Sequence, residues 1–210
     1  MLRDHARIVA TPRARLHAGL ALFVIAAAAA SAGAFGTWTS TDSVSHSIST
    51  GTVTIALGST GASTNRLNVD ATGVAPGDTM QRSVDLSNTG SLALASITLT
   101  TTGTTSSLLD TNTTYGLQMQ IDRCSQAWTE GGSAPAYTYT CGGSSSSVLA
   151  QRAIIGSTLA LSNLTATTAG NTDHLKVTLT LPSTAPNTYQ SLSSTIQYSF
   201  TGTQRAATDR

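Results

Sequence analysis

From residue 52 onward, apolar side chains recur at every second position rather than every third or fourth. Val53, Ile55 and Leu57 alternate with Thr and Ala, and Met80, Val84 and Leu86 share one parity with Arg82 between them. Leu117, Met119 and Ile121 alternate with glutamines. Leu175, Val177, Leu179 and Leu181 alternate with Lys176 and threonines, and Ile196, Tyr198 and Phe200 with Gln197 and Ser199. A period of two, carried by Thr and β-branched residues, predicts strands with one buried and one wet face. Turn chemistry separates the runs: Ala75-Pro76-Gly77-Asp78, Asn88-Thr89-Gly90, Gly131-Gly132, Ala169-Gly170-Asn171 and the stretch 182–187. Between Leu94 and Ile97 the parity slips, which predicts a β-bulge. Helix is nearly absent, and residues 147–155 are the one stretch with room for a helical turn or two. At least seven short strands joined by tight turns predict an all-β fold, a single jelly-roll-like β-sandwich over residues 51–210.

The first 34 residues have a different pattern. Arg3, Arg7, Arg13 and Arg15 precede an uncharged apolar run from Ala18 to Ala30, and small residues follow through Ala34. A basic start, a short apolar core and an Ala-x-Ala motif together make a secretory signal peptide. Two motifs fit, so cleavage is expected after Ala32 or Ala34. The alternative is retention as an anchor helix, for which 18–34 is at the lower limit of length.

Composition then narrows the class. The 210 residues include 27 Ser and 37 Thr, while charged residues are 10% and the net charge is +1. A chain so weakly charged has no electrostatic footprint for nucleic acid. Its 40% of hydrophobic residues suffice for a core. Cys124 and Cys141 suit an oxidising compartment and are expected to form a disulfide, worth about 3 kcal/mol on chain-entropy grounds. The Gly- and Ser-rich stretch 131–147 reads as a loop insertion pinned by that bridge.

Catalytic chemistry is not legible. No pair of His flanks a Glu at helical spacing, and no Gly-x-Ser-x-Gly elbow occurs. Beyond residue 34 the only histidines are His46 and His174, and the only glutamate is Glu130. His46 near Asp42, and His174 beside Asp173, could each offer one metal ligand, and single histidines of this kind are ordinarily solvated. Asn112-Thr113-Thr114 and Asn163-Leu164-Thr165 match the glycosylation sequon, as chance expects in so Thr-rich a chain. The expectation is no enzyme, no cofactor and no metal. Trp128, Tyr137 and Tyr139 are the candidate aromatic platform of a rival reading, a monomeric surface-binding or adhesin module.

One segment stands apart. Residues 35–50 carry Phe35, then Trp38, Val44 and Ile48 on even positions spaced by Ser and Thr. Extended, such a segment can add to a sheet edge, either its own or that of another copy.

Three stretches fall in a familiar order. The first is Phe35-Gly36-Thr37-Trp38-Thr39-Ser40-Thr41-Asp42, followed by Ser49-Thr50-Gly51-Thr52-Val53. The second is Val74-Ala75-Pro76-Gly77-Asp78-Thr79, leading through Val84-Asp85-Leu86 to Asn88-Thr89-Gly90-Ser91-Leu92. The third is Asn187-Thr188-Tyr189-Gln190 and the closing strand with Tyr198-Ser199-Phe200. Together they resemble the TasA/camelysin family of secreted bacterial fibre-forming proteins. The resemblance implies a jelly-roll subunit of extracellular matrix or cell-surface fibres, freed by a signal peptidase. It implies self-association head to tail, with Phe35, Trp38, Val44 and Ile48 on a donated strand. Accessory fibre or cell-wall components are further partners it implies. Residues 104–170 lack clear correspondence, and the cysteine pair is not a family hallmark. Some members carry a metalloprotease label, which no residue pattern here supports.

Overall fold

The computed structural model describes residues 51–70 and 73–207. In chain order its strands are β1 (Ile55–Leu57), β2 (Thr79–Asn88), β3 (Leu94–Thr105), β4 (Gln118–Cys124), β5 (Thr129–Ser133), β6 (Ala136–Thr140), β7 (Ser145–Ala153), β8 (Gly156–Ala160), β9 (Thr172–Thr180) and β10 (Thr195–Gln204). A short helix, α1 (Leu108–Thr111), lies between β3 and β4. One sheet has the order β1-β2-β9-β4-β7, the other β10-β3-β8, and β5 with β6 makes a separate hairpin. Every pairing is antiparallel. The chain crosses between the sheets at each of β2–β3, β3–β4, β7–β8, β8–β9 and β9–β10, which gives a β-sandwich.

The alternation read from sequence is the alternation of burial. Val84 and Leu86 of β2, Ile97 and Leu99 of β3, Met119 and Ile121 of β4, and Leu175 and Val177 of β9 are all at most 1% exposed, and together they fill the space between the sheets. Their Thr, Ser and Gln neighbours face outward, as the pleat requires. The bulge is present at Ala95. Leu94 pairs with Gln204 and Ser96 with Thr203, so Ala95 is the extra residue. That insertion lets Leu94 and Ile97 both point inward although they differ in parity.

Two expectations need correction. Residues 147–155 are not helical: Ser145–Ala153 is strand β7, paired with β4. The run Ser144 to Ser147 is a poor helix former, because serine hydroxyls compete for nearby backbone groups, whereas pairing with β4 satisfies that backbone directly. The stretch 131–147 is likewise more ordered than a loop. It holds the end of β5, all of β6 and the start of β7, with Tyr137, Thr138 and Tyr139 supplying strand-forming side chains. The Cys124–Cys141 disulfide is formed, with Cα atoms 5.6 Å apart, so it joins the end of β4 to the end of that hairpin.

The hairpin packs over β2. Tyr139 N donates to Gln81 Oε1 at 3.1 Å, and the Tyr139 hydroxyl donates to Glu130 Oε2 at 2.9 Å. Arg66 completes the clamp with a bidentate pair to Glu130 at 2.7 and 2.9 Å, and its guanidinium stacks 4.8 Å from the Tyr137 ring centre. Replacing both cysteines by serine is expected to lower the unfolding free energy by about 3 kcal/mol. Urea titration checks this, with faster amide exchange concentrated in β5 and β6.

Candidate functional site

The two sheets do not cover each other evenly. β1 is three residues long and pairs only with Leu86 to Asn88, at the far end of β2. There the seam is narrow: a Cβ added at Gly202 of β10 would stand 3.2 Å from Ile55 Cγ2. Toward the start of β2 the seam opens into a cavity of about 680 Å³. Met80 and Arg82 of β2, Leu179 of β9, Ile196 and Tyr198 of β10, and Val69 and Val74 from the chain before β2 line it.

Among the described residues β10 is the edge of its sheet, so no described strand lies along one side of its backbone. Its inward residues Ile196, Tyr198 and Phe200 are only half-buried, whereas Leu99, opposite Phe200 on β3, is 0% exposed. Burial pushes the Tyr198 phenol well above its ordinary pKa, an effect that the nearby Arg82 charge partly offsets. The site is thus an apolar groove beside a free strand edge, the arrangement that accepts an added strand.

Local sequence builds its rim. In the Pro76-Gly77-Asp78 turn, Ala75 N donates to Asp78 Oδ2 at 2.8 Å and Asp78 N to Ala75 O at 3.0 Å. Gly77 sits at φ +97°, where a side chain would be strained, and its N–H reaches Leu181 O at 2.8 Å. This ties the start of β2 to the end of β9. On the opposite wall, Asp110 accepts from Ser107 N and from Ser194 Oγ, both at 2.7 Å, which fixes α1 to the chain entering β10. Burial alone would raise the Asp110 pKa. The bonds from Ser194, the Ser107 backbone and Ser106 outweigh it and hold the carboxyl below its usual range.

The other family turn works at the opposite end of the sandwich. Asn88 is fully buried, donating Nδ2 to Leu92 O at 3.0 Å and accepting from Gly90 N at 3.1 Å. So shaped, the turn points its N–H groups at the chain before β1. Thr89 N and Gly90 N reach Thr54 O at 2.9 and 3.1 Å, and Ser91 N and Leu92 N reach Thr52 O at 2.9 and 3.2 Å. A Cβ at Gly90 would run into Thr52 O, so only glycine permits this approach. The clamp fixes the root from which residues 35–50 depart.

The remaining candidates have structural surroundings. Trp128 Nε1 donates to His174 O at 2.9 Å, and Lys176 lies 4.6 Å over its ring. Tyr139 is buried and Tyr137 lies against Arg66 and Arg82, so these aromatics form no open platform. His174 Nδ1 is 2.7 Å from Asp85, and buried Asp173 meets Arg123 Nε at 3.0 Å. Asn112 Oδ1 accepts from Thr114 N and Tyr115 N, and Asn163 Nδ2 donates to Ser147 O. Ala32, Ala34, Phe35, Trp38, Asp42, Val44, His46 and Ile48 lie outside the described residues. The groove itself was missed by sequence reasoning. Its one sequence signal was Arg82, a charge on the parity of Val84 and Leu86.

The fold defines the class, an all-β protein built as a two-sheet sandwich, and the sequence matches a known family. The family model described as camelysin metallo-endopeptidase matches residues 13–209. The chain therefore belongs to the TasA/camelysin family, a family of secreted or cell-surface proteins. No curated protein matches it. Among the described residues no helix is long and apolar enough to cross a membrane.

The family description implies a catalytic metal, and the described residues do not fit one. Among them no three His, Cys, Asp or Glu stand together as a ligand set. Both cysteines are in the disulfide, and Glu130 is taken by Arg66 and Tyr139.

Acid should loosen this frame in a defined direction. Glu130 is held below its usual pKa, first by the Arg66 hydrogen bonds, and Asp110 is also lowered. A folded-state pKa below the unfolded one contributes stability that is whole above about pH 4 and is lost as pH falls toward the folded value. Denaturant midpoints measured from pH 6 downward should fall less steeply in Glu130→Gln and Asp110→Asn than in the parent.

Proposed function

We propose that the protein is an exported structural subunit of extracellular matrix or cell-surface fibres, without catalytic activity, assembled by strand donation. Residues 35–50 of one copy enter the groove beside β10 of the next. The observation that carries this reading is the separation of root and groove. Residues 52–54 are clamped at the Asn88 end of β2, and the groove opens at the Met80 end, about 26 Å away along the strand. A segment rooted at Gly51 therefore begins at the end of its own sandwich opposite the groove, and strand donation directs it outward into the next copy rather than back along its own β10, which its length would also allow. A contact between opposite ends of identical molecules adds copies head to tail, and it builds a filament where the rotation between copies does not return to the start.

Docking is a balance of opposing terms. Extended, residues 35–50 span about 50 Å, enough to run the length of β10. Hydrogen bonds to the free edge and burial of Trp38, Val44 and Ile48 against Met80, Ile196 and Tyr198 favour docking. Ordering the segment opposes it by about 1–2 kcal/mol per residue. In the proposed sequence of events the leader, residues 1–34, keeps the segment from pairing until a signal peptidase cuts after Ala32 or Ala34. Accessory fibre or cell-wall components then meet a growing polymer.

Electron microscopy and sedimentation of the exported chain test the proposal. The protein beginning at Phe35 should form filaments, and the same chain lacking 35–50 should remain a folded monomer. Filaments of equal length from the shortened chain would refute strand donation.

A further inference from the structure

Arg82 has the parity of Val84 and Leu86, both 0% exposed, so a guanidinium occupies an inward position of β2. It is itself only 6% exposed and lines the groove. Its hydrogen bonds go to main-chain carbonyls: Nε to Val69 O at 2.9 Å, Nη1 to Gln81 O at 2.7 Å and Nη2 to Asp70 O at 3.2 Å. A guanidinium carries five N–H donors, so two remain for another acceptor. None of the ion pairs among the described residues includes Arg82. Burial pulls its pKa down, and Tyr139, Tyr137, Tyr198 and Asp70 oppose that only in part. Asp70 acts on the guanidinium through space but bonds it only by its main-chain oxygen, and a buried cation so weakly compensated is unfavourable in a groove that is otherwise mostly apolar.

Segment 35–50 carries the complementary anomaly. Trp38, Val44 and Ile48 share even parity with Asp42, the segment's single carboxylate. In a strand all four side chains project on one side, so docking the apolar three carries Asp42 into the groove with them. Left unpaired there, the carboxylate would oppose docking.

We propose that Asp42 of one copy pairs with Arg82 of the next, and that this buried ion pair sets the register of the donated strand. The inference rests on the strand-donation reading and adds its specificity element. A one-residue slip would turn Asp42 away from the groove, and a two-residue slip would move it about 7 Å along β10. Apolar contacts alone reject the first slip, which turns Trp38, Val44 and Ile48 outward as well, but they tolerate the second, whereas a desolvated charge pair does not. A buried pair of this kind acts chiefly as a selector, because its desolvation offsets much of its attraction.

Elongation rates of the exported chain, followed by light scattering from sheared filament seeds, test the pairing. Asp42→Asn and Asp42→Arg alter only the segment and leave the described fold as it is. The first should slow elongation about tenfold and the second about a hundredfold. Arg82→Asp should be equally defective alone, and Asp42→Arg combined with Arg82→Asp should recover to within about tenfold of the parent. Should Arg82→Asp fail to fold by circular dichroism, Asp42→Arg subunits offered to parent seeds are a sufficient test by themselves. Parent-like elongation by both Asp42 variants, with deletion of 35–50 still abolishing growth, would overturn the pairing and leave strand donation standing. If the deletion itself had no effect, strand donation would fall and the pairing with it.

Discussion

A sandwich buries its apolar faces only where each sheet has a strand opposite, and here β10, β3 and β8 face five strands. On the β7 side the chain closes its own seam, because β7 runs through buried Ile154 into β8. On the β1 side closure is left to three residues. Met80, Leu179, Ile196 and Tyr198 therefore pack against the core and remain partly uncovered. Each uncovered patch forgoes about 25 cal/mol for every Å² it could bury. A free edge beside such a patch is ordinarily blunted by charged side chains. β10 has none between Thr195 and Gln204, which leaves the edge open to pairing.

Buried polar pins fasten the frame away from the groove. Asp173, fully buried, accepts from Thr165 N, Thr165 Oγ1 and Ala166 N, and it meets Arg123. Thr101 Oγ1 donates to Ile154 O at 2.5 Å and accepts from Gly156 N at 2.9 Å, which fixes the β7–β8 corner. No buried side-chain polar atom among the described residues lacks a partner. Satisfied networks of this kind hold a frame rigid, and a rigid groove spares an incoming strand the cost of reshaping it. The disulfide and the Arg66–Glu130 clamp serve the same end by holding the hairpin over β2.

Much of this was legible in the alternation of side chains. The strands of the core, the bulge between Leu94 and Ile97, the glycine turns and the cysteine bridge follow from local periodicity and local chemistry. The hairpin and β7 were harder, because their serines and glycines carry little apolar pattern, and the Tyr137-Thr138-Tyr139 alternation is short. The groove was not legible at all. Whether a strand is an edge depends on sheet order, which joins β10 to β3 across ninety or so positions of sequence and leaves no local mark. Arg82 showed as an oddity of parity. Only the fold shows that it is buried and that no described carboxylate bonds it.

The same accounting separates the two readings that the family name brings together. Proteolysis by a metal needs several basic side chains free to turn toward one point. Eight of the described acids and bases are engaged in pairs instead, Arg66 with Glu130, Arg123 with Asp173, His174 with Asp85 and Lys176 with Asp122. Drawing any of them into a ligand set would strand its partner, at a cost of several kcal/mol where that partner is as buried as Asp173. Strand donation makes no such demand. As proposed, it would use a sheet edge with no described strand beside it, apolar surface only partly covered, and a guanidinium that no described carboxylate bonds. The matched family span, residues 13–209, takes in the 35–50 segment together with the sandwich. In the proposed reading a structural role draws on the edge and the groove, whereas a metal site built from the described residues would have to draw on groups that already have partners.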